Sequence, residues 1–139
     1  MKQTITIDHI GIASNSLDEG SRFWRLIGLT AKGEDDLVED QGVVTRFFPL
    51  GQVEHSETNI EILEPTGPDT PIGKFLGKRG PGIQQLCLAV DDLEAMIAHL
   101  IANGINMIDE TPRRGAHDSL IAFVHPKSTG GILIELKQR

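Results

Sequence analysis

The sequence predicts an α+β fold: two strand–helix–strands units joined into one curved, mostly antiparallel sheet, with helices on its outer side. Three observations carry this. Ile7-Asp8-His9-Ile10-Gly11-Ile12-Ala13 has a counterpart in Ile83-Gln84-Gln85-Leu86-Cys87-Leu88-Ala89, and His9, Leu17 and Gly28 each meet Gln85, Leu93 and Gly104 at a constant spacing of 76 residues. In both copies the apolar period changes from that of a strand to that of a helix, and glycine follows the helix. Finally, Glu61 and Glu135 stand in the middle of apolar strands, one in each copy. A unit this small cannot bury its own sheet face, so the two halves are expected to form one domain over residues 1–139, with repeats at about 3–66 and 83–139 and a connector at 67–82.

Taken in order, residues 3–13 alternate, with Ile10 and Ile12 on one face and His9, Gly11 and Ala13 on the other. Ser16 and Glu19 form a capping box for a helix carrying Leu17, Phe23, Trp24 and Ile27. Glu34 to Asp40 is acidic and reads as a solvated loop or edge. Val43 to Leu50 and Asn59 to Leu63 are strands. Thr70-Pro71 caps a short helix with Ile72, Phe75 and Leu76 before Gly80-Pro81-Gly82. The second copy repeats the plan. Leu86, Leu88 and Val90 oppose Gln85, Cys87 and Ala89; Asp91 or Asp92 caps a helix bearing Leu93, Met96, Ile97, Leu100 and Ile101. Strands near Leu120–His125 and Ile132–Leu136 flank the turn at Pro126–Gly131.

Composition narrows the function classes. The net charge is −7; residues 1–66 hold five Lys/Arg against twelve Asp/Glu, and residues 67–139 hold eight of each. An acidic chain with 4% aromatics argues against non-specific nucleic-acid binding. One cysteine, Cys87, makes no intramolecular disulfide and suits a reducing compartment, and no leader or membrane span is visible, so a cytoplasmic location is expected.

The strand parity assembles the chemistry. Ile60 and Ile62 separate from Glu61, Ile132 and Ile134 separate from Glu135, and His9 and Gln85 occupy the matching first strands. Burying a mid-strand carboxylate costs several kcal/mol, of order 2–7 for a polar group, unless a partner compensates. Taken singly, His9 reads as a hydrogen-bonded core histidine, and each glutamate as a salt bridge at a sheet end. Together, His9, Glu61, Gln85 and Glu135 form a set of N/O donors suited to one divalent cation, Zn, Co, Mn or Ni, rather than to a soft thiolate-bound metal. His55, His99, His117 and His125 read as surface residues, the last two with a possible place at a cleft rim.

At these residues the chain resembles a known family. Asp8-His9-Ile10-Gly11-Ile12-Ala13, Asp40-Gln41-Gly42-Val43, Ile60-Glu61-Ile62-Leu63-Glu64-Pro65, Ile72-Gly73-Lys74-Phe75-Leu76, His125-Pro126-Lys127-Ser128 and Ile134-Glu135-Leu136 look like the methylmalonyl-CoA epimerases, of the vicinal-oxygen-chelate, or glyoxalase/bleomycin-resistance, superfamily. The resemblance implies paired βαβββ modules, a homodimer, an acyl-CoA substrate and one divalent metal per cleft. It places His9, Gln85 and Glu135 at the metal-ligand positions and Glu61 at that of a fourth ligand or acid/base group. It implies interconversion of two epimers by proton transfer through a metal-stabilised enolate, with Glu135 and Glu61 as the acid/base pair. Lys127, Ser128 and Gln41 are then substrate-binding candidates, and Lys78, Arg79, Arg113 and Arg114 candidates for the anionic CoA portion. Two departures stand out: Gln84-Gln85 where the family has adjacent histidines, and Thr45 where some epimerases carry a carboxylate. Alternatives within the superfamily are a glyoxalase I-type isomerase and a non-catalytic binder.

Overall fold

The computed structural model describes residues 2–51 and 58–139. His55 lies outside the described residues. Two compact units are present, one made of residues 9–84 and the other of residues up to Asp8 together with 85–139. The element order repeats. The first βαβββ module is β1 (Thr6–Ala13), α1 (Leu17–Leu26), β2 (Asp36–Val38), β3 (Val43–Pro49) and β4 (Asn59–Pro65). The second is β5 (Gly82–Val90), α3 (Leu93–Ala102), β6 (Arg113–Arg114), β7 (Leu120–Val124) and β8 (Ile134–Gln138). Between them lies α2 (Pro71–Arg79).

Within the first module the strand order is β2-β3-β4-β1, with β1 parallel to β4 and the other pairs antiparallel. Parity decides which side meets the helix. Ile10, Ile12 and Val44 pack with Leu17, Phe48, Ile60, Ile62 and Trp24 in the core under α1. Each fully buried side chain of this size stabilises by about 1.5–3 kcal/mol. Ser16 ends the helix N-terminally by accepting the Glu19 amide at 3.0 Å.

The stripe on α1 differs from the expected one. Leu17 and Ser21 are buried and Trp24 is half-buried, while Phe23 and Ile27 are 60% and 57% exposed. The reason is local. A Cβ on Gly20 would come within 2.6 Å of Ile62 Cγ2, so the helix approaches β4 along its small residues and rotates Phe23 outward. Arg46, on the same face of β3, fills the remaining space. Its guanidinium bonds both Asp35 oxygens at 2.8 Å, Asp18 at 3.0 Å and Ser21 Oγ at 3.1 Å. These bonds hold the Asp35 carboxyl below its usual value, the Arg46 hydrogen bond being the largest cause.

The second module has order β5-β8-β7-β6, again with its first and last strands parallel. Val90, Leu93, Met96, Ile97, Ala122, Val124 and Leu136 form its core, with Leu88 and Ile134 packed against them. Asp92, of the two candidate caps, accepts the Ala95 amide at 3.0 Å. The last strand starts later than the sequence suggests: Ile132 is 51% exposed, because the Thr129 hydroxyl bonds both its carbonyl and its amide and keeps it in the turn. The acidic stretch forms the edge strand β2 on β3, and Arg113–Arg114 form a strand that periodicity does not reveal in so short a span.

Both helices start in the same way. The Leu17 amide donates to Glu64 Oε1 and the Leu93 amide to Gln138 Oε1, both at 2.9 Å. In each module the last strand thus satisfies a free donor at the helix N-terminus.

Candidate functional site

The face of each sheet turned away from its helix carries the polar residues. In β1, His9, Gly11 and Ala13 are buried and alternate with Ile10 and Ile12. Glu61, the β4 partner of Gly11, shares that face, as does Phe47, the β3 partner of Glu61. His9 is 4% and Glu61 3% exposed. The His9 Nε2 lies 2.7 Å from Glu61 Oε2, and its ring meets Phe47 edge-on with centroids 5.7 Å apart. The Phe47 edge fixes the imidazole plane and shields the pair from water.

The second module repeats this geometry with other residues. Gln85 and Cys87 are buried on β5, Cys87 pairs with Glu135 of β8, and Glu135 pairs with Phe123 of β7. Gln85 is 6% and Glu135 4% exposed, and Gln85 Nε2 donates to Glu135 Oε1 at 2.8 Å. In both modules the polar residue stands two positions before the register partner of the glutamate, and a phenylalanine faces the glutamate from the next strand. Lys137, two residues beyond Glu135, pairs with Asp8 at 3.2 Å.

Imidazole nitrogen, carboxylate oxygen and amide oxygen are atom types that ligate divalent ions. Ligand atoms at about 2.0–2.2 Å from a metal and at a right angle to each other stand roughly 3 Å apart. The His9–Glu61 and Gln85–Glu135 separations of 2.7 and 2.8 Å are close to that value. For Gln85 the fit requires the amide to turn so that its oxygen faces the ion.

Of the other site residues read from sequence, Gln41 ends a single turn of 3-10 helix before Gly42, which has φ 62°. Its Nε2 is enclosed and has no hydrogen-bond partner among the described residues. The Ser128 hydroxyl accepts from the Asn106 amide at 2.9 Å and from its side chain at 3.2 Å, and Lys127 is exposed. His99, His117 and His125 are exposed, in keeping with a surface reading. Thr45, on the Glu61 face of β3, is 1% exposed. Sequence reasoning missed Phe47 and Phe123. Their 76-residue spacing, the same as between His9 and Gln85, was the available signal.

Comparison with known proteins assigns the family. The model of the glyoxalase/bleomycin resistance protein/dioxygenase superfamily matches residues 8–123. The chain is 36% identical over 135 residues to the mitochondrial methylmalonyl-CoA epimerase of Dictyostelium discoideum, covering 96% of this chain and 78% of that protein. Among solved structures, methylmalonyl-CoA epimerase from Mycobacterium tuberculosis superposes with a TM-score of 0.86 at 39% identity, covering 95% of this chain and 86% of that one. A methylmalonyl-CoA epimerase in complex with methylmalonyl-CoA and NH4+ gives a TM-score of 0.88 at 34% identity, covering 95% and 92%. With its α+β architecture of two βαβββ modules, the chain belongs to the glyoxalase/bleomycin resistance protein/dioxygenase superfamily.

Proposed function

We propose that this chain is a metal-dependent epimerase that interconverts the two epimers of methylmalonyl-CoA. The observation that carries the reading is the buried carboxylate of each module, Glu61 and Glu135, held at equivalent register positions beside a second metal-binding type of side chain. Similarity to epimerases of that name over nearly the whole chain supports the substrate class.

The chemistry asks for two acid/base groups. Inverting a carbon next to a thioester means removing its proton from one face and returning a proton to the other, with an enolate between. Glu61 and Glu135 are assigned to these two roles, one taking the proton on an oxygen and the other delivering one. His9, Glu61, Gln85 and Glu135 would together hold the divalent ion. That ion supplies Lewis-acid stabilisation of the negative charge on the thioester oxygen. Burial of both carboxylates strengthens each charge interaction and keeps water from quenching the enolate. The enclosed Gln41 amide offers a donor to a substrate oxygen, and the exposed Lys127 a cation to the substrate carboxylate. The expected homodimer belongs to the same reading and is checked by the molar mass in solution.

The test starts from a single epimer of methylmalonyl-CoA and follows the appearance of the other by chiral chromatography. The reading expects equilibration that stops on chelation and returns with Co, Zn, Mn or Ni. Turnover of the methylglyoxal–glutathione hemithioacetal without epimerisation would instead assign a glyoxalase I-type reaction.

A further inference from the structure

We propose that α2 is the anchor for the nucleotide phosphates of the acyl-CoA, through Lys74, Lys78 and Arg79; the inference rests on the epimerase reading for its substrate. The helix is the element of the described fold that duplication does not account for, since β1-α1-β2-β3-β4 and β5-α3-β6-β7-β8 are complete without it.

Its charge is at odds with its surroundings. Residues 9–84 hold seven Lys/Arg and twelve Asp/Glu; three of those cations and none of the acids fall within the nine residues of α2. The other helices carry acids, Asp18 and Glu19 in α1 and Glu94 in α3. Lys74, Lys78 and Arg79 are all exposed, and none has a carboxylate partner among the described residues. Arg79 instead lies over Phe75, 5.8 Å from the ring centroid. The two arginines that sequence alone also offered are engaged: Arg113 with Asp109 at 3.4 Å and Arg114 with Asp118 at 2.9 Å.

Helix stability does not explain the arrangement. Cations in the last turn complement the helix dipole, which suits Lys78 and Arg79. Lys74, the fourth of the nine residues, gains nothing from the dipole and repels Lys78 at i, i+4 by a few tenths of a kcal/mol. An anion between them relieves that repulsion. The helix is also placed to serve the site of its own unit. It packs on β4, the strand of Glu61, and its cap Thr70 sits against the turn after Gln41, where a Cβ on Gly42 would lie 2.5 Å from Thr70 Cγ2. Coenzyme A joins a thioester, which needs the buried carboxylates, to a diphosphate and a 3′-phosphate at the far end of a long arm. On a chain of net charge −7, such an anion needs local cations to be held.

The experiment compares the Lys74→Gln/Lys78→Gln/Arg79→Gln variant with the unaltered protein, using methylmalonyl-CoA and the methylmalonyl thioester of pantetheine, which lacks the nucleotide. Expected is a KM for the CoA ester raised about tenfold or more with kcat held, and unchanged kinetics on the pantetheine thioester. Calorimetry with free coenzyme A should show the same weakening, and affinity of the unaltered protein should fall with added salt. Circular dichroism checks the fold, with Lys78→Glu alone as the milder variant. Epimerisation by the unaltered protein with an unchanged KM in the variants would overturn the role of α2 and leave the epimerase reading intact. Coenzyme A binding lost in the variants, in a protein without epimerase activity, would uphold the phosphate anchor and overturn that reading. Equal loss on both thioesters would overturn the anchor, because the cations would then act on something other than the nucleotide.

Discussion

The two modules share one scaffold and differ in what it carries. Position by position, His9 corresponds to Gln85, Gly11 to Cys87 and Phe47 to Phe123, with Glu61 and Glu135 in the same register. Packing is therefore nearly interchangeable, while donor strength is not. Imidazole brings a strong neutral nitrogen ligand; a primary amide brings a weaker oxygen. On the proposed ligand set, fold and metal affinity would be set by separate residues on the same strands, so that one can change without the other.

The largest break in this comparison comes from making the modules alike. His9→Gln leaves two amides and two carboxylates, and divalent-metal affinity is expected to fall about 100-fold, read by competition with a chromophoric chelator. Gln85→His makes the pair symmetric in the other direction and is expected to tighten metal binding about tenfold, on the order of 1.4 kcal/mol. An unchanged affinity in both variants would place the ion elsewhere.

The helix starts sharpen the same comparison at a smaller scale. Glu64 presents a carboxylate to the α1 N-terminus, whereas Gln138 presents an amide oxygen to that of α3. Glu64→Ala should cost about 1.5–3 kcal/mol and Gln138→Ala about 0.5–1.5 kcal/mol in urea unfolding, because a charged acceptor makes the stronger bond. Equal costs would mean that the charge adds nothing beyond the hydrogen bond.

The smallest expected effect is confined to the first module. Asp35 has a carboxyl lowered from 3.8 by Arg46, so its contribution to stability is fully present above that value and is lost as pH falls through the folded value. Arg46→Met should therefore flatten the acid limb of the stability profile below about pH 4. An identical limb in both proteins would remove the pair from the acid response.

How much of this was legible in the sequence depended on period. The strand parity of Ile10, Ile12, Leu86 and Leu88 against His9 and Gln85 was written in alternation, and it placed Glu61 and Glu135 on the correct faces. Ser16, Thr70 and the pair Asp91-Asp92 announced the helix starts by their side-chain chemistry, and Asp92 is the one of that pair that caps α3. The orientation of α1 was not legible, since Gly20 and the Arg46 ion pairs rotate it and neither leaves a mark in apolar periodicity. Nor were β2 and β6, three and two residues long and held by edge pairing rather than by a buried face. Phe47 and Phe123 were hidden because each sits beside other apolar residues, and their role depends on the cross-strand neighbours Glu61 and Glu135.

The central claim is that Glu61 and Glu135 act on opposite faces of one carbon. Its most direct measurement is the incorporation of solvent deuterium at C2 of methylmalonyl-CoA, followed by proton NMR from each separate epimer, with metal-loaded unaltered protein, Glu61→Gln and Glu135→Gln. The account predicts exchange from both epimers in the unaltered protein, and epimerisation reduced by about 10²–10⁴-fold in each variant. Each variant should retain exchange from one epimer only, and the retained epimer should be opposite in the two. If both variants retain the same epimer, or if either epimerises at the unaltered rate, the two-carboxylate account is contradicted.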